Sequence, residues 1–362
     1  MRSPVFIRRF RRVFQFALLS AALALASPAR AAPEVVVSIL PLHSLTANLM
    51  RGVGAPHLLM PAGQSPHAAQ LKPSQVRQLE GADLIVWVGP SFEQSLAKII
   101  ARPRENGGAR MVTLLEDDSI LHLPVRDGGL WEAHDHAHGH DEHEDGHEEH
   151  AHGDAHDEHD DHGDHDEHGH GDAHKDEHDD HADDRHADWR IDPHIWLSVE
   201  NARAIVDIVA RELAAADPAN AAQYDANRLE ALAQLAALRR DVGERLGAAR
   251  DGLDARYVVF HDAYHYFENE FGLQPLGAVT ISPEQSPGAR RIRDIKQAIR
   301  DRGARCVFSE PQFQPDLVHT LAADTGASVG VLDPLGAALT PGPQAWFDLM
   351  NGLADALADC LE

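Results

Sequence analysis

Apolar residues in this chain fall into short unbroken runs, which alternate with longer stretches where they recur every three or four positions. Glu34–Ile39 reads as a buried strand, Leu42–Arg51 as a helix and Asp83–Val88 as a second strand. Helix Ser91–Ala101 and strand Arg110–Leu114 complete the first series. A helix then runs from Ser198, a good N-cap, to about Ala216. Another, rich in Ala and Leu, runs from Pro218 to about Ala249 behind Asp217 as cap. Some thirty residues at 1.5 Å each reach about 45 Å, longer than a small domain needs. A strut between two lobes and one long bundle helix are the two readings this permits. Alternation resumes with strand Arg256–Phe260, a helix from about Ala263, strand Pro275–Val279 and helix Gly288–Arg300. Strand Arg305–Phe308, helix Pro315–Thr325, strand Ser328–Leu332 and a helix from about Gln344 to Leu361 end the chain. The order predicts an α/β protein with two (β/α) lobes, parallel sheets and a long connecting helix. Such sheets bind ligands beyond the C-terminal ends of their strands.

Two segments break this pattern. Residues 132–188 consist almost wholly of His, Asp, Glu, Gly and Ala. They hold 24 acidic residues against Lys175 and Arg185, so −22 of the formal charge of −26 resides there and the rest carries −4. The remainder is therefore near neutral, and no basic stripe with interleaved aromatics points to nucleic acid. The other exception is the N-terminus. Arg8, Arg9, Arg11 and Arg12 form a basic region, Val13–Ala26 an apolar one, and Ala29-Arg30-Ala31 an A-x-A site. This is the pattern of a cleaved secretory signal, and the apolar run is short for a membrane span of ~20 residues. Arg11-Arg12-Val13-Phe14 leaves twin-arginine export open beside the general route. The expected division is signal peptide 1–31, N-terminal lobe 32–217 with a flexible loop at 132–188, linking helix 218–249, and C-terminal lobe 250–362. Cys306 and Cys360 are the two cysteines, and in an exported chain they favour a disulfide over free thiols or metal ligands.

Four metal-ligating side chains stand where loops or strands end. His67 lies in Gly63-Gln64-Ser65-Pro66-His67, His194 follows Pro193, His261 ends Tyr257-Val258-Val259-Phe260, and Asp333 ends Val329-Gly330-Val331-Leu332. Each lobe supplies two, so one ion could be held in the cleft between them. Three imidazoles and a carboxylate suit tetrahedral Zn²⁺, whereas manganese prefers more oxygen. Any one of these histidines could equally be structural, and spacing this long carries no local signature.

The wording of the segments carries more. Ser65-Pro66-His67 with Leu71-Lys72-Pro73-Ser74, Asp192-Pro193-His194-Ile195-Trp196-Leu197-Ser198, and Phe260-His261-Asp262-Ala263-Tyr264 occur in this order. Phe308-Ser309-Glu310-Pro311-Gln312-Phe313 and Leu332-Asp333-Pro334-Leu335-Gly336 follow them. Over about residues 33 to 362 the chain closely resembles the periplasmic zinc-binding subunits of bacterial zinc-uptake ABC transporters. That resemblance implies two lobes joined by a rigid helix, with histidine ligands at His67, His194 and His261 and a fourth position at Asp333. It also implies a Cys306–Cys360 disulfide. Manganese-binding relatives are expected to carry Glu where His261 stands. Some zinc-binding members have Glu just before the first histidine; Pro66 stands there in this chain, so Asp333 or water completes the shell. The implied partners are a membrane permease with its cytoplasmic ATPase and a periplasmic metallochaperone, the protein itself being a monomer in the periplasm without catalytic activity. A periplasmic metal buffer, a manganese-binding relative and a metallohydrolase are the alternatives.

Other polar residues are read as accessory. His43 is expected to line the pocket, His265 to sit at its rim, and Glu310 to orient an imidazole. His143-Glu144-Asp145-Gly146-His147 satisfies H-E-x-x-H, but it lies in a Gly-rich run with no apolar face and no means of forming a buried helix. The tract cannot bury enough apolar surface to fold. Its histidines, beginning His134, His136, His138, His140, His143, His147, His150 and His152, are read as weak multivalent zinc ligands. Their affinity is expected to fall below pH ~6.5.

Overall fold

Unbroken runs of valine, isoleucine and leucine become the central strands of two parallel sheets. The computed structural model describes residues 32–94, 96–100, 108–131, 191–250, 256–280, 283 and 286–361. The expected signal peptide and the histidine-rich tract lie outside the described residues. The first sheet has the order β2-β1-β3-β4, built from β1 (Val35–Val37), β2 (His57–Leu58), β3 (Leu84–Trp87) and β4 (Arg110–Thr113). The second repeats that order as β6-β5-β7-β8, from β5 (Tyr257–His261), β6 (Gly277–Thr280), β7 (Cys306–Ser309) and β8 (Ser328–Val331). Every pairing is parallel, for example Val36↔Ile85 and Val258↔Val307. Strands β1, β3 and β5 are buried along their whole length, as expected where helices cover both faces. In each sheet the strand order reverses next to its first strand, between β1 and β3 and between β5 and β7. Open α/β sheets bind ligands at such points.

The helices are α1 (Leu40–Leu49), α2 (Pro73–Glu80), α3 (Ala97–Ile100), α4 (Val199–Ala216) and α5 (Ala221–Arg250), then α6 (His265–Phe271), α7 (Ala289–Arg302), α8 (Asp316–Thr325) and α9 (Ala345–Leu361). Helix α4 starts as its sequence dictates, Ser198 Oγ accepting the Asn201 N–H at 3.1 Å. Helix α5 follows a 3-10 turn at Pro218–Asn220, where Asp217 accepts from the Asn220 side chain and the Tyr224 hydroxyl. Its buried positions, Tyr224, Asn227, Ala231, Leu235, Leu238, Val242 and Leu246, recur every three or four residues. That stripe packs α5 against α4 and α9, and α9 also packs on α1. Near the α1–α9 contact, the Ser44 hydroxyl and the Asn48 amide both donate to the Pro343 carbonyl. A single buried apolar cluster therefore runs from the first sheet through α4, α5 and α9 to one face of the second sheet. A smaller cluster under α7 and α8 fills the other face of that sheet. Helix α7 stops at Gly303, whose φ of +67° is the left-handed conformation that glycine adopts without steric cost. Cys306 and Cys360 form a disulfide joining β7 to α9. No helix of the described residues is long and apolar enough to cross a membrane.

Three elements differ from the sequence expectation. Strand β2 is a two-residue edge strand, and α2 forms where the apolar pattern predicts no helix. Its start is set when Gln75 accepts the Lys72 N–H at 2.7 Å while donating to the Leu59 carbonyl. The expected helix from Ser91 is instead a turn, because Glu93 is buried and its carboxylate accepts the Gly89 N–H at 3.0 Å. Helical structure begins only at Ala97.

Candidate metal centre

Asp192-Pro193-His194 is a small device for aiming an imidazole. Proline fixes φ in the middle of the segment, and Asp192 Oδ1 accepts both the His194 backbone N–H at 3.0 Å and its ring Nδ1–H at 2.7 Å. The following 3-10 turn, Ile195–Leu197, is wholly buried. Its Trp196 indole donates to the Pro334 carbonyl at 2.8 Å, and the Trp196 carbonyl accepts from the Trp346 indole at 2.9 Å. His194 is thus anchored to the far end of the chain.

His261 ends β5, next to the strand-order reversal, and Glu310 lies one residue beyond the end of neighbouring β7. Both Glu310 oxygens lie 2.7 Å from His261 Nδ1. Glu310 also accepts the Tyr264 hydroxyl at 3.2 Å. His67 arrives from the other lobe in the 3-10 turn Pro66–Ala68 and packs edge-on against Phe92, with centroids 5.0 Å apart. Phe92 follows β3 and also meets His194 and Trp196.

Carboxylates accept hydrogen bonds, so the Nδ1 atoms of His194 and His261 carry the protons and their Nε2 lone pairs are left free. Those two Nε2 atoms lie 3.4 Å apart. Two ligands at the usual Zn–N distance on a tetrahedral centre would be separated by about 3.3 Å. The ring centroids of His67 lie 6.0 Å from His194 and 6.2 Å from His261. Among the described residues, these three form the one group of potential metal ligands whose donor atoms all lie within 4.8 Å of one another.

Electrostatics agree with this geometry. Burial, with His194 and His261 as like-charged neighbours, lowers His67 to about 3. Burial and His261 likewise hold His194 well below the ordinary imidazole value. Burial alone would lower His261 too, but Glu310, then Asp262 and Asp192, outweigh it and the net shift is upward. Burial raises Asp192 to about 7 against the His194 N–H it accepts. Lone pairs crowded together beside buried carboxylates make a site that attracts a cation.

The remaining expected residues are not part of this three-histidine group. Asp333 stays outside the group: Oδ1 accepts from the Gln312 side chain and from the Leu335 and Gly336 N–H groups, and Oδ2 accepts from Ala337 N–H. Its carboxylate shapes the loop after β8. His43, expected to line the pocket, is not among the residues that do; its Nε2 lies 3.1 Å from the Pro56 carbonyl. His265 begins α6 rather than sharing a helix with His261, and its Nδ1 lies 3.8 Å from Asp192 Oδ2, behind the carboxylate that aims His194. The histidines from His134 to His152 lie outside the described residues. Asp192 is a site residue that ligand-type motifs do not mark, although a carboxylate two residues before a proline-preceded histidine is a signal for it.

The family model of the periplasmic component A of zinc-uptake complexes, ZnuA, matches residues 35–360. A high-affinity zinc uptake system protein ZnuA of Brucella abortus (strain 2308) is 46% identical over 327 residues, covering 90% of this chain and 91% of its own. The Yersinia pestis protein of the same name is 33% identical over 354 residues, covering 96% and 97%. In three dimensions, a ZnuA crystal structure aligns with a TM-score of 0.66 at 22% identity, over 91% of this chain and 100% of that one. The Pseudomonas aeruginosa solute-binding protein FpvC, in complex with Mn²⁺, aligns at 0.65 with 20% identity over 91% and 98%. At these identities the structural likenesses concern the fold. Sequence and architecture together make this chain a member of the ZnuA family of periplasmic zinc-uptake components.

Proposed function

We propose that the protein captures Zn²⁺ with His67, His194 and His261 and delivers it to the permease of an ATP-driven uptake system. The observation that carries this is the 3.4 Å separation of two Nε2 atoms whose ring partners are each committed to a carboxylate. A ring of nitrogen donors without a carboxylate among them supports zinc over manganese. Asp333 is engaged by four donors, which favours water over Asp333 as the fourth ligand. A hydrolase would need a carboxylate free to act as general base. The two nearest, Asp192 and Glu310, are spent on imidazoles, which supports binding without catalysis. On this reading the chain is exported by its N-terminal signal, works as a monomer in the periplasm, and contributes a histidine-rich tract that gathers zinc weakly. It hands the ion to the permease, and a metallochaperone could receive or supply it.

Metal analysis tests the assignment. Wild-type protein should hold one tight zinc, and H67A, H194A and H261A should each lose it; one-to-one zinc retained in all three would refute the reading. Deleting 132–188 should remove several weak equivalents and keep the tight one. A plain metal buffer would bind zinc equally well, yet would not engage a permease in reconstituted vesicles.

A further inference from the structure

The segment after β4 leaves the first lobe and crosses to the second. Leu121 exchanges two hydrogen bonds with the Asn201 side chain of α4, and two residues later the Leu123 N–H donates to the Tyr266 hydroxyl of α6. Further on, the buried Arg291 guanidinium of α7 donates to the Leu130 carbonyl, and Leu130 lies so close to Gly277 that any Cβ there would collide with it. Between these attachments lies Arg126. Its Nε donates to both Asp262 oxygens at 3.0 and 3.1 Å, Nη2 also reaches Asp262, and Nη1 donates to Glu268 at 2.8 Å. The Trp131 ring covers the guanidinium at 3.7 Å. The Arg126 side chain is 16% exposed, Asp262 10% and Glu268 2%, so this is a desolvated clamp and not a surface ion pair.

What the clamp grips is the strand that presents His261. Asp262 is the residue after His261, and the other Glu268 oxygen accepts the Tyr257 hydroxyl at 2.9 Å, at the first residue of β5. One guanidinium carried by the crossing segment therefore braces both ends of that strand. We propose that Arg126 is a positioning residue for the metal centre, holding β5, and with it His261, in register with the two histidines contributed before α5. This rests on zinc being held by the three imidazoles. A lysine could neutralise the pocket but could not make the forked contact, so charge and geometry can be separated.

The experiment compares R126K with wild type, using Zn²⁺ release into excess chelator, the visible spectrum of bound Co²⁺ and the unfolding midpoint of the metal-free protein. We expect R126K to melt within a few degrees of wild type. It should release zinc about tenfold faster, the scale on which outer groups tune a metal site, with altered Co²⁺ bands. Wild-type release and an unchanged Co²⁺ spectrum in folded R126K would overturn the proposal. So would a change in release matched only by a loss of thermal stability. Should R126K not fold, R126Q/E268Q removes one charge of each sign, leaves Asp262 beside His261 in place and carries the same test: fast release with altered Co²⁺ bands from a folded protein supports the proposal, wild-type release overturns it. Tight zinc surviving in H67A, H194A and H261A alike would instead defeat the three-histidine reading beneath it.

Discussion

Replacing Glu310 by Gln is the most informative single change. The side chain is 1% exposed and holds His261 Nδ1 with both oxygens at 2.7 Å. Glutamine has nearly the same shape and keeps an oxygen able to accept from the His261 ring and the Tyr264 hydroxyl, so the variant removes charge more than volume. Hydrogen bonds to charged groups contribute roughly 1.5–3 kcal/mol, and full burial on both sides argues against discounting that range. On the proposed assignment the charge would act on the metal through the ring, making Nε2 a better donor. Most of the loss should therefore appear in metal affinity, which converts to about a 10- to 100-fold rise in Kd. Competition against a chromophoric chelator measures it, and circular dichroism of the metal-free variant checks that the fold persists. A folded E310Q protein binding zinc within twofold of wild type would show that the carboxylate adds nothing to the imidazole, and would remove the electrostatic basis of the site as described.

Further changes test other parts of the structure. D333A removes the acceptor for the Gln312 side chain and for three backbone N–H groups of the loop that follows, so it should cost about 1–3 kcal/mol of stability by denaturant titration while keeping one zinc; loss of that zinc would put Asp333 in the coordination shell. Glu93 is raised to about 7 by burial, against the Gly89 and Val88 N–H groups it accepts. The folded state thus holds the proton more tightly than the unfolded chain, and this contribution is complete below pH ~4.5 and lost as pH climbs toward 7. E93Q should therefore melt higher than wild type at pH 8, with the gap closing near pH 5; a constant gap across that range would contradict the assignment. Breaking the disulfide with C306S/C360S opens a loop with a sequence separation of 54 and should cost up to about 4 kcal/mol, seen as a lower denaturant midpoint.

Most of the architecture could be read from periodicity, since parallel strands buried on both faces leave continuous apolar runs such as Val35–Val37 and Tyr257–Phe260. What escaped was decided by side chains acting on local backbone. Glu93 turning back on Gly89 replaced an expected helix with a turn, and Gln75 bridging Lys72 and Leu59 made a short helix where the sequence showed only a motif. The histidines were legible as candidates, but their convergence was not. His67 and His194 are separated by more than a hundred residues, and only the paired topology of the sheets and the interlobe core brings them together. Asp333 shows what a strand-end position leaves out: it marks a candidate ligand, while the hydrogen bonds its carboxylate accepts from the turn that follows are set by local backbone.

The Trp346 N–H donates to Ser44 Oγ, joining residues 302 positions apart. A ribosome delivers a chain from its N-terminus, so α1 meets β1, α4 and α5 first and its α9 partner only with nearly the last residues. Contacts so distant in sequence raise the entropic cost of closing the chain and slow folding, and the α1–α9 seam closes only after almost the whole polypeptide has emerged. Shortening the chain by its last helix should therefore disrupt the beginning of the molecule as much as its end.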